Sequence, residues 1–157
     1  MKRAIVFIDG GNFYFQLKKL TAKLDDKYKL LNFNFGKFSR WLISPEELIE
    51  ARYYIGAINQ QNNNEKNKRM YADQQRLFMN LQKQNIAVIL GELIQHSDKS
   101  YHEKGVDVRI AVEMIRMARQ DKYDVAYLLS SDTDLVPAVE EVISIGKKVH
   151  YIGISER

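Results

Sequence analysis

In Ala4-Ile5-Val6-Phe7-Ile8-Asp9-Gly10-Gly11-Asn12 a five-residue apolar run, Ala4 to Ile8, leads into a carboxylate, Asp9. Val125-Ala126-Tyr127-Leu128-Leu129-Ser130-Ser131-Asp132-Thr133-Asp134 repeats the pattern more than a hundred residues later. Short apolar runs closed by turn-forming residues read as strands buried on both faces, as in a parallel sheet. Ligands of open α/β sheets bind at the carboxyl ends of the strands, so Asp9, Asp132 and Asp134 are placed for chemistry rather than for solubility.

Outward from these two stretches, further apolar runs at residues 53–58, 86–90 and 149–154 read as three more strands. Stretches with helical spacing separate them, at residues 12–24, 36–43, 65–84, 106–119 and 135–145, and Pro45 opens a short Glu-rich turn before the second strand. The expected packing faces are Met70, Leu77, Phe78 and Leu81; Val108, Ala111, Val112, Ile115 and Ala118; and Leu135, Val136, Val139, Val142 and Ile143. Strands alternating with helices predict an α/β fold, a mainly parallel sheet with right-handed crossovers, in a three-layer α/β/α sandwich. Residues 59–64 and 93–104 break the alternation and read as polar loops.

The 157 residues, 45% hydrophobic with two prolines, fit a single domain spanning 1–157. Without cysteine, disulfides and thiolate zinc sites are excluded, and three histidines leave little for an imidazole cage, so metal chemistry would have to be carboxylate chemistry. The first apolar run is too short for a signal segment or a membrane span, which predicts a cytoplasmic protein without a membrane partner. A net charge of +4 and a pI near 9.2 permit attraction to nucleic acid without identifying it.

Asp107, in Lys104-Gly105-Val106-Asp107-Val108, also falls at a helix start. Each aspartate alone is explained as a helix cap or a dipole partner, and Asn12 caps a helix or orients a water. The set is harder to explain that way. Carboxylates about 4 Å apart repel by ~4 kcal/mol per pair at an effective dielectric near 20. That is large against a total stability of roughly 5–15 kcal/mol. A bound Mg²⁺ or Mn²⁺ offsets the repulsion, since hard cations prefer carboxylate oxygens. Gly10-Gly11 gives a tight turn but neither a P-loop nor a dinucleotide fingerprint.

Phe7-Ile8-Asp9-Gly10-Gly11-Asn12, Lys104-Gly105-Val106-Asp107-Val108 and Ser130-Ser131-Asp132-Thr133-Asp134-Leu135 closely resemble, in order, three motifs of NYN domains of the LabA-like subgroup. These domains belong to the PIN-like nuclease superfamily, whose sheet is Rossmann-like. The resemblance implies five strands in the order 3-2-1-4-5 and Mg²⁺- or Mn²⁺-dependent hydrolysis of RNA. It further implies Asp9, Asp107 and Asp132 as metal ligands, Asp134 as a further ligand or supporting residue, and Asn12 orienting water or phosphate. Ser130 and Ser131 would support the pocket by hydrogen bonds. Glu113 stands where many members carry aspartate, and relatives continue past the fifth strand, so a trimmed or minimal member is expected.

For the substrate, expected to be single-stranded RNA, Lys104, Lys68 and Arg69 are candidate phosphate contacts, although each also reads as a solvated cation. Tyr14, Tyr101 and Phe15 are candidate stacking residues, Phe15 reading more readily as core, and His96 and His102 are candidate general acids that read more readily as solvated loop residues. A homodimer is left open. The competing classes are a non-catalytic regulatory or nucleic-acid-binding protein of the same fold and an aspartyl-phosphate phosphatase with Asp9 as nucleophile. The latter fits poorly, since Gly11 occupies the position of its second aspartate and Gly91-Glu92 that of a receiver's acceptor.

Overall fold

The computed structural model describes residues 1–21, 33–59 and 64–154. Six strands, β1 (Arg3–Asp9), β2 (Glu47–Ala57), β3 (Ile86–Gln95), β4 (Tyr101–Lys104), β5 (Val125–Leu129) and β6 (Lys148–Ile152), form one sheet in the order β4-β3-β2-β1-β5-β6. All neighbours are parallel except β3 and β4. Side chains alternate across a strand, so Ala4, Val6 and Ile8 enter one core while Ile5 and Phe7 enter the other.

Helices close both faces. Phe13 of α1 (Gly10–Thr21), Phe35 and Ile43 of α2 (Phe35–Ile43), and Leu77 and Leu81 of α3 (Glu65–Lys83) fill the first core. There the rings of Phe13, Phe33, Phe35 and Phe38 pack tilted or edge-to-face at centroid distances of 4.8–6.2 Å. Val106, Ile110 and Met114 of α4 (Val106–Arg119) and Val142 of α5 (Val136–Ser144) fill the second. Each fully buried side chain of this size contributes roughly 1.5–3 kcal/mol.

The α/β architecture is as expected, but the sheet has six strands, so both the count and the numbered order differ from five strands in the order 3-2-1-4-5. The difference lies in residues 93–104, expected to be a loop. There β3 runs on to Gln95 and β4 pairs back on it antiparallel, Leu93 opposite Glu103 and Gln95 opposite Tyr101. Backbone pairing needs no apolar side chains, so a polar edge hairpin leaves no hydrophobic period. For the same reason β2 begins at Glu47, inside the expected Glu-rich turn, with Leu48 opposite Ala4.

The packing faces shift too. In α4 the buried set is Val106, Ile110, Met114 and Ala118, spaced by four, and Val108 and Val112 are exposed. In α5, Ala138 and Val142 are buried whereas Val136 and Ile143 are exposed. Phe15 is exposed, with the Lys19 ammonium 4.4 Å from its ring centre. Residues 22–24 of the first expected helix and 60–63 of the Asn-rich turn lie outside the described residues.

α4 is tied to β2 by a buried polar network. Glu113 Oε2 accepts from Arg52 Nη2 at 2.7 Å and from the Tyr54 hydroxyl at 2.5 Å. Arg109 and Arg116 approach its Oε1 at 3.8 and 3.7 Å. Burial alone would raise the Glu113 pKa; the Tyr54 and Arg52 bonds outweigh it and hold the carboxyl below its ordinary range. Glu113 is therefore neutralised in place as a structural anion. Glu113→Ala should lose about 3 kcal/mol in equilibrium urea unfolding, near the low end for broken buried pairs because Glu50 still bonds Arg52 at 2.6 Å. A loss below about 1 kcal/mol would show that the network is solvated rather than structural.

Candidate metal centre

β1 and β5 are adjacent and parallel with Ile8 opposite Leu129, so Asp9 and Ser130 leave the sheet side by side. Their chains then diverge, Asp9 into α1 and Ser130 towards the short 3-10 turn Thr133–Leu135, which opens a crevice at the switch point. Both side chains are buried, Asp9 to 6% exposure and Ser130 to 2%. Ser130 Oγ donates to Asp9 Oδ2 at 2.8 Å and accepts from the Asp132 N–H at 3.1 Å. Asp9 Oδ1 accepts from the Asn12 N–H at 3.3 Å, and Asn12 Oδ1 accepts from the Ser131 N–H at 3.0 Å. One hydroxyl and one amide thus stitch the β1 turn to the β5 turn.

Asp132 caps the 3-10 turn, its Oδ1 accepting from the Asp134 N–H at 2.9 Å, and its carbonyl accepts from the Tyr151 hydroxyl at 2.5 Å. Asp107 stands in the first turn of α4 behind Gly105, whose φ of +80° is a left-handed conformation that glycine adopts without strain. No side-chain cap bond forms at that helix start. The carboxylates of Asp107, Asp132 and Asp134 converge, each offering an oxygen within 4.8 Å of the others.

That trio differs from Asp9, Asp107 and Asp132 in one member. Asp134 belongs to it, while Asp9 does not, both Asp9 oxygens being bonded within the fold. Burial pushes the Asp9 pKa up, the Ser130 and Asn12 bonds counter it, and the charges of Asp132 and Asp107 add to the rise. Asp9 thus senses the charges of Asp132 and Asp107 while lying outside the converging trio. Glu113 stays apart, held by Arg52 and Tyr54. Three carboxylates with neither histidine nor cysteine suit Mg²⁺ or Mn²⁺ and disfavour zinc.

One acidic residue had no signal in the sequence. Glu103 of β4 turns towards the turn after β1, and its carboxyl pKa is raised by burial, with Asp9 and Asp107 adding to the rise against the Gly56 N–H bond. It was hidden because β4 itself was hidden. Of the candidate substrate residues, Lys104 ends β4, Lys68 and Arg69 lie in the first turns of α3, and Tyr14 lies on α1; all four are exposed. Lys68 Nζ is 3.9 Å from Glu65. No hydrogen bond or ion pair joins these cations to the acidic group among the described residues. His96 and His102 stack across the β3–β4 hairpin at 4.3 Å. No helix among the described residues is long and apolar enough to cross a membrane.

Among solved structures, the chain is similar to a protein of unknown function, VPA0982, from Vibrio parahaemolyticus RIMD 2210633. The two share 23% identity and a TM-score of 0.62 over 99% of this chain and 85% of that one, a likeness of fold alone. No curated protein matches the chain. The family model of the NYN domain matches residues 3–157, and with the acidic crevice at the switch point of its sheet the chain belongs to the NYN domain family.

Proposed function

We propose that this chain is a divalent-metal-dependent ribonuclease that hydrolyses phosphodiester bonds of RNA, with Mg²⁺ or Mn²⁺ held by Asp107, Asp132 and Asp134. The observation that carries the reading is a contrast between two acidic sites. Glu113 has three arginines around it, whereas the crevice carboxylates have no lysine or arginine partner among the described residues. Anions gathered without a protein cation suit an external one. Membership of a nuclease-like family supports the same reading.

When bound, the cation supplies Lewis-acid neutralisation of non-bridging phosphate oxygens and an activated water. The chain's residues do the rest. Asp107, Asp132 and Asp134 bind and orient, and Ser130 holds Asp9 beside them. Asn12, with its side-chain oxygen on Ser131, fixes the β5 turn against α1 and leaves its amide nitrogen for phosphate or water. Lys104, Lys68 and Arg69 attract the RNA backbone, and Tyr14 offers a stacking face for an unpaired base. An aspartyl-phosphate route through Asp9 is disfavoured, because the nucleophile would be 6% exposed with both oxygens engaged.

Labelled single-stranded RNA incubated with the protein should be cleaved in Mn²⁺ or Mg²⁺ and left intact in excess chelator. Asp132→Asn and Asp9→Asn should each lose at least about 100-fold in rate, on the scale of removing an electrostatic catalytic group. Persistent cleavage in both variants or in chelator would sink the site, and metal-independent RNA binding without cleavage would favour a regulatory protein.

The crowding also has a stability signature without metal. A carboxyl with a raised native pKa binds its proton more readily folded than unfolded, so ionised Asp9 destabilises the fold above that pKa. The cost fades as pH falls towards about 4, the ordinary carboxylate value. In chelator, Asp9→Asn should melt above the parent protein at pH 7–8, by about 2–4 °C per kcal/mol released, and the two curves should converge near pH 4. A variant that melts lower at pH 7–8 would show that its hydrogen bonds outweigh its charge.

A further inference from the structure

At the carboxyl edge of the sheet β3 outlasts β2. Their last paired residues are Ala57 and Glu92, yet β3 runs on to Gln95, held on its other side by β4. The end of β2 is taken over by α3 instead. Gln74 Nε2 donates to the Gly56 carbonyl and Gln74 Oε1 accepts from the Ile58 N–H, both at 2.9 Å, as a neighbouring strand would. Asn67 Nδ2 then donates to the Asn59 carbonyl at 3.0 Å. Where β2 would have continued beside β3, a cavity of about 540 Å³ opens. Ile58, Asn59 and Asn67 line it from the β2 and α3 side, and Leu93, Gln95 and Tyr101 from the hairpin side.

The lining selects a class of ligand. The volume is within the range of small-molecule sites. Glu92 is the one charged residue among the described lining residues, so no lysine or arginine in the wall neutralises a phosphate. Side-chain amides, strand-end peptide groups and a tyrosine ring suit a flat, uncharged ligand with donors and acceptors around its rim, which is the chemistry of a nucleobase. Tyr101 stands opposite Gln95 in the β3–β4 pairing, so a ring and an amide share one wall. Positive charge lies next to the cavity rather than in it, since the exposed Lys66 and Lys68 flank Asn67 in the sequence. The acidic crevice opens at the same edge of the sheet. It lies between β1 and β5 and the cavity between β2 and β3, so about 10 Å, two strand spacings, separates them.

We propose that this cavity is a nucleobase subsite, which takes the base of a nucleotide flanking the scissile bond while the crevice holds the phosphodiester. The inference rests on the ribonuclease reading above and deepens it, giving the substrate a second point of attachment. The β3–β4 hairpin thereby gains a role, because its extension beyond β2 supplies the stacking wall.

Titration of the isotopically labelled whole chain with the four nucleoside 5′-monophosphates, followed by amide NMR shifts in chelator, tests the proposal. These probes contain no phosphodiester to cleave. Ribose 5-phosphate is the control, with the same phosphate and no base. At least one nucleotide should shift the amides of Ile58, Leu93, Ile94, Gln95 and Tyr101, and ribose 5-phosphate should leave them in place. Tyr101→Leu and Gln95→Leu remove the ring and the amide from half-buried positions of the hairpin. Tyr101→Leu should weaken nucleotide binding by about tenfold, the scale of one stacked base. No shift with any nucleotide, equal shifts with ribose 5-phosphate, shifts confined to other residues, or parent-like affinity in both variants would each overturn the subsite. Should either variant fail to fold, which the same spectra report, the parent's contrast between nucleotide and ribose 5-phosphate decides alone. Metal-dependent RNA cleavage by a parent protein without these shifts would overturn the subsite and leave the nuclease standing. Base-dependent shifts in a protein that never cleaves RNA would support the nucleobase cavity and overturn the nuclease reading.

Discussion

The parallel pairing of β1 with β5 brings Asp9 and Ser130 together at neighbouring strand ends, and the rest of the crevice takes its geometry from them. Ser130 bonds Asp9 with its hydrogen and the Asp132 amide with its lone pair, so one buried hydroxyl sets both the β1 carboxylate and the turn that carries Asp132 and Asp134. The strands supply the rigidity. Every residue of β5 and six of the seven residues of β1 are buried, and interiors packed to crystal-like density give side chains little room to drift. A crevice built on such strands can hold like charges close together without collapsing around them.

Charge is handled in two opposite ways less than two helical turns apart. Glu113 is buried among arginines and a tyrosine hydroxyl, a closed arrangement that holds α4 to β2. Asp107, six residues earlier on the same helix, converges with other carboxylates. One helix therefore carries both a satisfied anion and an unsatisfied one. Burial alone does not separate them, since Glu113 is the more buried of the two; the difference lies in what faces each of them.

Much of this could be read from the sequence because the decisive strands are short apolar runs with carboxylates at their ends, and both runs are strands of the sheet. Three features could not. β4 alternates polar side chains on an exposed edge, so its existence and the direction of Glu103 depend on pairing with β3 rather than on hydrophobicity. Glu113 meets its partner Arg52 across 61 residues of sequence, a contact that no local spacing encodes. In α4 apolar residues occur around much of the helix, and the spacing-by-four face was selected by what the sheet offers, leaving Val108 and Val112 outside. That Asp9 closes β1 could be read locally, whereas which aspartates converge and which is bonded within the fold depends on contacts between distant segments.

The central pairing also bears on the order in which the molecule can assemble. Asp9 and Ser130 are 121 positions apart, and β1 lacks one of its two neighbours until β5 is available. During synthesis from the amino terminus, the β1–β2–β3 half, whose strands are closer in sequence, can pair before the β5–β6 half exists. Closing a contact of such long range is slow relative to local pairing. The crevice therefore cannot close before β5 has been made, and until then the β1 edge lacks its second neighbour and is open to other chains.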